Sequence, residues 1–365
     1  LAGPSLAPAE SWCVKMDIRG QYRRATARKL AIGLGLLLTL AGVALFSVSV
    51  GALTIGPGQI LDALLHREGG TIQHVLWSIR LPRTAGAILA GAGLGVAGAV
   101  MQDILRNPLA SPFTTGVSQG AAFGAAFAII VFGAGQTHAI GKEAVTIASP
   151  YLVVISSFCG AMLAVAFILG LSSLRRISAE GVILAGVALS AFFGAATMLL
   201  QYFASDMQVA ATVFWTFGDL GKAGWRENGA ILSAVCVAFA WFGVSGWSHN
   251  ALQWGEEVAE SLGVRVIRLR VISLAAGSLM VAVSTAFLGV IGFVGLLAPH
   301  TARFLVGNDH RFLLPCSALF GALLLLTSDI LARTVMQPVT LPVGIITSLA
   351  GAPLFLALLA KTRRS

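Results

Sequence analysis

Charge is what this sequence has least of. Aspartate, glutamate, lysine and arginine make up 11% of its 365 residues, against about 25% in a soluble domain. No stretch is long and polar enough to form a water-soluble domain. Cysteine is scarce and scattered, at Cys13, Cys159, Cys236 and Cys316. That spacing excludes a disulfide framework or a cysteine metal site. Three of the four lie in apolar stretches as small packing residues, and Cys13 follows Ser-Trp, not the small residues of a lipoprotein cleavage site. A Walker A sequence is missing too. Gly141-Lys142 is followed by Glu143, without the upstream glycine and the Ser/Thr that a phosphate cradle needs. The chain alone therefore cannot hydrolyse ATP. It has no nucleophile elbow and no HExxH. The first fifteen residues contain no apolar core, which excludes a signal peptide there, and Met16 is a candidate start.

What remains is apolar: 57% of the residues, gathered in blocks of about twenty, the length that crosses a hydrocarbon core. Ten such blocks are predicted, at roughly 30–50, 84–104, 113–133, 150–174, 181–203, 229–247, 271–290, 291–306, 312–332 and 340–360. The expected fold class is all-α, a polytopic membrane protein. Residues 1–29 form a cytoplasmic N-terminal segment, and 30–365 a ten-helix transmembrane domain with a loop at 248–270. The net charge of +9 is a matter of topology here, not of nucleic-acid binding. With a cytoplasmic N-terminus, only Arg67, Arg80, Arg83, Lys142, Lys222, Arg226 and Arg333 fall on the outer side. The positive-inside bias then places both termini in the cytoplasm.

Glycine is abundant, 42 residues, and in a bilayer small residues let helix backbones approach. Gly91 and Gly95 form one stripe, and Gly186, Ser190 and Gly194 another. Packing within one chain is the first expectation for each, and a dimer face the second. Asp103, Asp329 and Arg333 sit near span ends, from which side chains reach the interface. No acidic or histidine chain crosses the middle of a span, which argues against an ion-coupled pump and against a zinc or manganese pathway. His300 and His310 are expected to be cap or interface residues, with no metal site.

Three segments look built for partners. RLPRT, residues 80–84, carries Arg80 and Arg83 on the outer side, with Pro82 suited to a helix start. With Arg333 these run against the charge bias; carboxylate docking and simple snorkelling are equally open. NPLASP, residues 107–112, cannot continue a helix through Pro108 and Pro112, and makes either a plain hairpin or a constriction. In the 248–270 loop, Glu256, Glu257 and Glu260 precede Leu262, Gly263 and Val264, then Arg265, Arg268 and Arg270. Acid first and base last suits a short helix, with Gly263 as its terminator. The segment is either a solvated linker or a docking surface.

Taken together these motifs resemble the permease family of type II ABC importers (FecCD-like), which take up ferric siderophores, haem and cobalamin. The resemblance is carried by RLPRT, GAVMQ at 98–102, NPLASP, GVSQGAAFG at 116–124 and ILAGVALS at 183–190. It continues through ESLGV at 260–264, the run at 289–315 and LPVGIITSLAGAPLF at 341–355. It implies the type II ABC importer permease fold, a homodimer with a central pathway, two cytoplasmic ATPase subunits and an external substrate-binding protein. Arg80, Arg83 and Arg333 match the family's docking arginines. Asn107, Pro108 and Leu109, with Ser178, Ala179 and Glu180, match its inner gate, although Ala179 and Glu180 depart from the small hydroxyl residues of the cobalamin permease. Glu256, Glu257, Glu260, Leu262, Gly263 and Val264 correspond to its coupling helix. Gln201 and the segment 205–217 are expected to line the pathway. No tightly bound cofactor is implied; ATP and magnesium belong to the partner subunit. The implied location is a bacterial inner membrane. A secondary transporter, or a permease for another metal species, is the alternative.

Overall fold

The computed structural model describes residues 18–51, 55–65, 70–134, 149–174, 178–337 and 339–362. Among the described residues every regular element is helical. A bilayer offers no water to the backbone, so the chain satisfies its N–H and C=O groups within helices. In chain order these are α1 (Ile18–Ser49), α2 (Pro57–Leu65), α3 (Thr71–Val75), α4 (Leu81–Ile104), α5 (Val117–Ile130), α6 (Pro150–Leu174) and α7 (Ala179–Tyr202). There follow α8 (Asp206–Thr216), α9 (Trp225–Leu252), α10 (Glu256–Ser261), α11 (Val266–Leu288), α12 (Val294–Val306), α13 (His310–Thr334) and α14 (Val343–Thr362). Seven helices are long and apolar enough to cross a membrane, and three shorter apolar ones, in α5, α12 and α14, complete the ten expected blocks.

The boundaries differ in three informative places. First, α1 starts at Ile18, so the basic stretch before residue 30 is helical and continuous with the first span. Second, Pro82 does not begin a helix. Residues 71–104 are one continuous helical run, with a π turn at Leu76–Arg80 just ahead of the proline. Proline removes an i→i−4 bond and crowds the preceding turn; the wider turn absorbs both. Third, α9 and α11 extend beyond the membrane blocks, so the 248–270 loop shrinks to a short connection around α10.

At the centre stands α4, packed against α9, α11, α12 and α13. Its glycines explain how. A Cβ on Gly91 would strike the Gly321 backbone of α13, one on Gly95 the Ser317 carbonyl, and one on Gly98 the Gly295 carbonyl of α12. Likewise Gly186 of α7 abuts the Thr114 carbonyl, whereas Gly194 faces open space. The stripes at Gly91, Gly95 and Gly186 thus serve packing within the chain.

Contacts between helix ends define the two ends of the bundle. At one, the start of α4 meets the ends of α1 and α13 through Arg83, Asp329 and Arg333. At the other, the end of α4 meets the end of α9 and the start of α13 through Asp103, His249 and His310. These are called the arginine end and the α10 end below.

Candidate functional site

At the arginine end, one buried carboxylate holds two arginines. Asp329 Oδ1 accepts from Arg83 Nε at 2.9 Å, and its Oδ2 from Arg333 Nε at 3.0 Å. Asp329 is wholly buried, so the sequence expectation that it reaches the interface fails; helix packing encloses it and two guanidiniums neutralise it. Arg333 also donates to the Val50 carbonyl at 3.0 Å and the Ser47 hydroxyl at 2.8 Å. Arg80 donates to the Val48 and Ser49 carbonyls. The Val48, Ser49 and Val50 carbonyls lie at the C-terminal end of α1, where no further turn of helix follows to bond them. The arginines cap it, and positive charge suits that pole of the helix dipole. Arg80 is buried, and the Arg83 and Arg333 side chains are only 12% exposed. Arg83 also stands 3.7 Å from the half-exposed Asp219.

Nearby, Lys222 borders a cavity of about 550 Å³ lined by Phe214, Trp215, Phe217 and Leu341 among others. Its Nζ lies 5.8 Å from the Trp215 ring centroid. Burial pulls the ammonium below its ordinary range, and Asp219 offsets part of the effect. Gln201 sits half-buried in the last turn of α7, beside the exposed Tyr202.

At the α10 end, α4 stops in a tight C-terminal motif. Arg106 N–H donates to the Asp103 carbonyl and Asn107 N–H to that of Gln102, with Arg106 at φ 46° in the position glycine usually takes. Asn107 Oδ1 then accepts the Leu109 N–H at 2.8 Å. The turn so made presents Leu109, partly exposed, to a cavity of about 200 Å³ shared with Phe113, Phe293 and Ser348. Ser178 caps α7 by accepting the Gly181 N–H at 3.2 Å, and Glu180 lies exposed in the first turn. Both fit the positive pole of that helix. Residues 175–177, which lead into the same turn, lie outside the described residues.

The α10 segment forms a short helix on the bundle, as its charge pattern predicts. Glu256 accepts from Arg270 at 2.6 Å, tying it to α11. Ala259 and Val264 are buried, whereas Glu257, Val258, Glu260 and Leu262 are exposed, as is Trp254 before them. The Gly263 and Val264 N–H groups close the helix on the Glu260 and Ala259 carbonyls, with Gly263 at φ +85°. An acidic and apolar face therefore stands free on a firmly seated helix.

Sequence reasoning missed the polar cluster beneath it. Asp103 and His310 were expected at an interface, yet both are buried, with His249, where α4, α9 and α13 meet. These residues are far apart in the chain, so no linear spacing signals them.

Ten apolar helices around a glycine-packed centre, with the buried charge of the described residues gathered at the two ends, define a multi-span membrane protein. A metal-chelate type ABC transporter in an inward-facing conformation has the same fold: TM-score 0.78, 32% identity, covering 91% of this chain and 99% of that one. The family model described as the FecCD transport family matches residues 37–361, and the chain belongs to that family. A Methanocaldococcus jannaschii protein named as an ABC transporter permease is 50% identical over 95% of this chain and 99% of its own. The hemin transport system permease of Yersinia pestis is 35% identical over 90% of this chain and 95% of its own. By name these relatives are permeases, not ATPases.

Proposed function

We propose that this chain is the membrane subunit of an ATP-driven importer for an iron chelate, either haem or a ferric siderophore, or for cobalamin. Two copies form the pathway, two separate ATPase subunits bind ATP and magnesium, and an external binding protein delivers the cargo. The observation that carries the reading is the free face of α10: a short helix fixed to α9 and α11, with Glu257, Glu260 and Leu262 turned outward. A chain that works alone has no use for it. An ATPase subunit docked there moves α9 and α11 when it binds ATP.

The second copy is assigned to α7. Leu184, Phe192, Met198 and Leu199 are each at least 60% exposed on it, and the turn at Asn107–Leu109 opens into the adjoining cavity. Substrate passes between the copies, with Asn107, Pro108, Leu109 and Ser178–Glu180 narrowing the α10 end. Docking of the acidic lobes of the binding protein is assigned to the arginine end, where Arg80, Arg83 and Arg333 match the family's docking arginines. Both termini are assigned to the cytoplasm on the charge bias, and the membrane is assigned as the bacterial inner membrane on the family resemblance.

The test is ATPase activity of the reconstituted complex as haem, cobalamin and a panel of ferric siderophores are added with the binding protein. Stimulation by one of them identifies the cargo. Transport that ignores vanadate but collapses with a proton uncoupler overturns the reading in favour of a secondary transporter.

A further inference from the structure

Three side chains able to bind metal converge where α4, α9 and α13 meet. Asp103 Oδ2 lies 3.1 Å from His249 Nδ1 and 3.5 Å from His310 Nε2. The three ligand atoms fall within 4.8 Å of one another. A tetrahedral zinc-type ion, with bonds of about 2.0–2.1 Å, has ligand–ligand edges of about 3.3 Å. The two distances bracket that edge.

The hydrogen bonds around the histidines set which nitrogens are free. Asn250 Nδ2 donates to Asp309 Oδ1 at 3.1 Å, and Asn250 Oδ1 accepts the His310 backbone N–H at 2.9 Å. The amide oxygen is therefore the atom facing His310 Nδ1, at 2.9 Å. Gln253 Nε2, 3.1 Å from the same nitrogen, has its own acceptor in the Asn308 carbonyl at 2.7 Å. Nδ1 thus carries the proton, and Nε2 is left as a lone pair. That Nε2 has no hydrogen-bond partner and faces a carboxylate oxygen 3.5 Å away, at side-chain exposures of 0% and 4%. Two electron-rich atoms so placed, away from water, repel unless a cation lies between them.

His249 completes the set. Its Nε2 lies 3.1 Å from Ser273 Oγ. Donating Nε2–H to that hydroxyl turns the Nδ1 lone pair toward Asp103 and His310. Imidazoles that bind metals are held by their second nitrogen in this way. The order Asp103, His249, Ser273 also has the sequence of a hydrolase relay. However, Ser273 is wholly buried and its Oγ also takes the Trp241 indole N–H, which leaves no place for a substrate carbonyl.

We propose that Asp103, His249 and His310 bind a divalent transition-metal ion of the zinc class, with one enclosed water as the fourth ligand. Arg303, held on the Ala99 carbonyl at 3.3 Å, stands within electrostatic reach of Asp103. Its charge opposes any ion bound by charge alone, so the site favours metals that draw on imidazole nitrogen over magnesium or calcium. The ion ties together three helices directly below α10, since Asn250 and Gln253 lead into that helix. This site is independent of the cargo and of the ATPase.

The test uses the tag-free, full-length permease in detergent, stripped with a chelator and titrated with Co²⁺ and then Zn²⁺. The expected result is one ion per chain, an intense visible band of four-coordinate Co²⁺ that Zn²⁺ abolishes, and a raised thermal midpoint. Asp103→Asn and His310→Gln should each lose the band and the midpoint shift. Ser273→Ala should weaken binding by about tenfold. A wild-type protein with neither band nor shift overturns the proposal, leaving a shared proton as the cation, and needs no variant to fold. Equal uptake by the folded variants overturns it as well, since the ion then binds elsewhere.

Discussion

A single buried carboxylate organises the arginine end, and its neighbours show what its charge requires. Asp329 is reached by Arg83 and Arg333, and Arg333 also holds the last turn of α1. Arg333→Ala leaves the carboxylate half-paired and the α1 carbonyls uncapped. Breaking a buried pair of this kind costs about 3 kcal/mol or more. A marked fall in the thermal midpoint of the detergent-solubilised protein is expected; an unchanged midpoint would mean that water already serves those carbonyls. Glutamate replacements of these arginines cannot serve as a docking test, because loss of fold would mimic loss of docking. Lys222 makes a pH prediction. Burial lowers its folded pKa from 10.5, and Asp219 offsets only part of that. Between the lowered value and 10.5 the unfolded chain holds a proton that the folded chain has released. Stability therefore rises with pH across that window and is flat below it. Chemical-denaturation midpoints of Lys222→Met should lack this alkaline rise, and an identical slope would remove Lys222 as its source.

At the scale of the element, α10 and α4 are limited by different things. In α10 the constraint is conformational. Gly263 occupies φ +85°, where a β-branched residue is strained by about 1–2 kcal/mol. Gly263→Val should loosen the α10 end, seen as faster amide exchange over 256–264 with the bundle unchanged. Exchange unchanged there would mean that burial of Ala259 and Val264 holds the helix without its cap. On the outer face, Glu257→Lys with Leu262→Asp should abolish ATPase stimulation by loaded binding protein and leave the thermal midpoint in place. Stimulation that survives assigns coupling to another surface. In α4 the constraint is contact. Gly91 meets the Gly321 backbone directly, so Gly91→Leu has no cavity to enter and should prevent accumulation of folded protein in the membrane. Gly194→Leu, which faces open space, is the matched control and should fold.

For the whole molecule the test falls on the exposed apolar face of α7. A single cysteine at Leu184 or Met198, in a background with Cys13, Cys159, Cys236 and Cys316 all replaced, should form disulfide-linked dimers on mild oxidation in membranes. Cysteines at Leu37 or Leu45 of α1, exposed on the far flank, should not. Crosslinks from α1 and none from α7 would move the dimer interface and the pathway with it. The bundle also explains why charge is so sparse. Among the described residues the buried aspartates lie at the two ends, where side chains from neighbouring helices pair with them.

The sequence by itself determined the class. Block length and the near absence of charge require a helical membrane protein, because only helices satisfy a backbone in hydrocarbon over that length. It also determined the short α10 helix and its glycine stop, since dipole and cap preferences act over a few neighbouring residues. The segment 205–217 was expected only to line the pathway, with no helix assigned to it; capping by Ser205 and Gln208 makes α8 a helix, a local signal too short to stand out as an apolar block. Tertiary structure decided the rest. Whether Asp103 and Asp329 meet water or protein depends on which helices close over them, and residues 146 apart supply the partner in one case and 246 apart in the other. Whether Arg80 and Arg333 face a partner or cap α1 depends on where α1 ends in space. No periodicity carries that information, because electrostatic pairing acts through distance across the bundle and not through spacing along the chain.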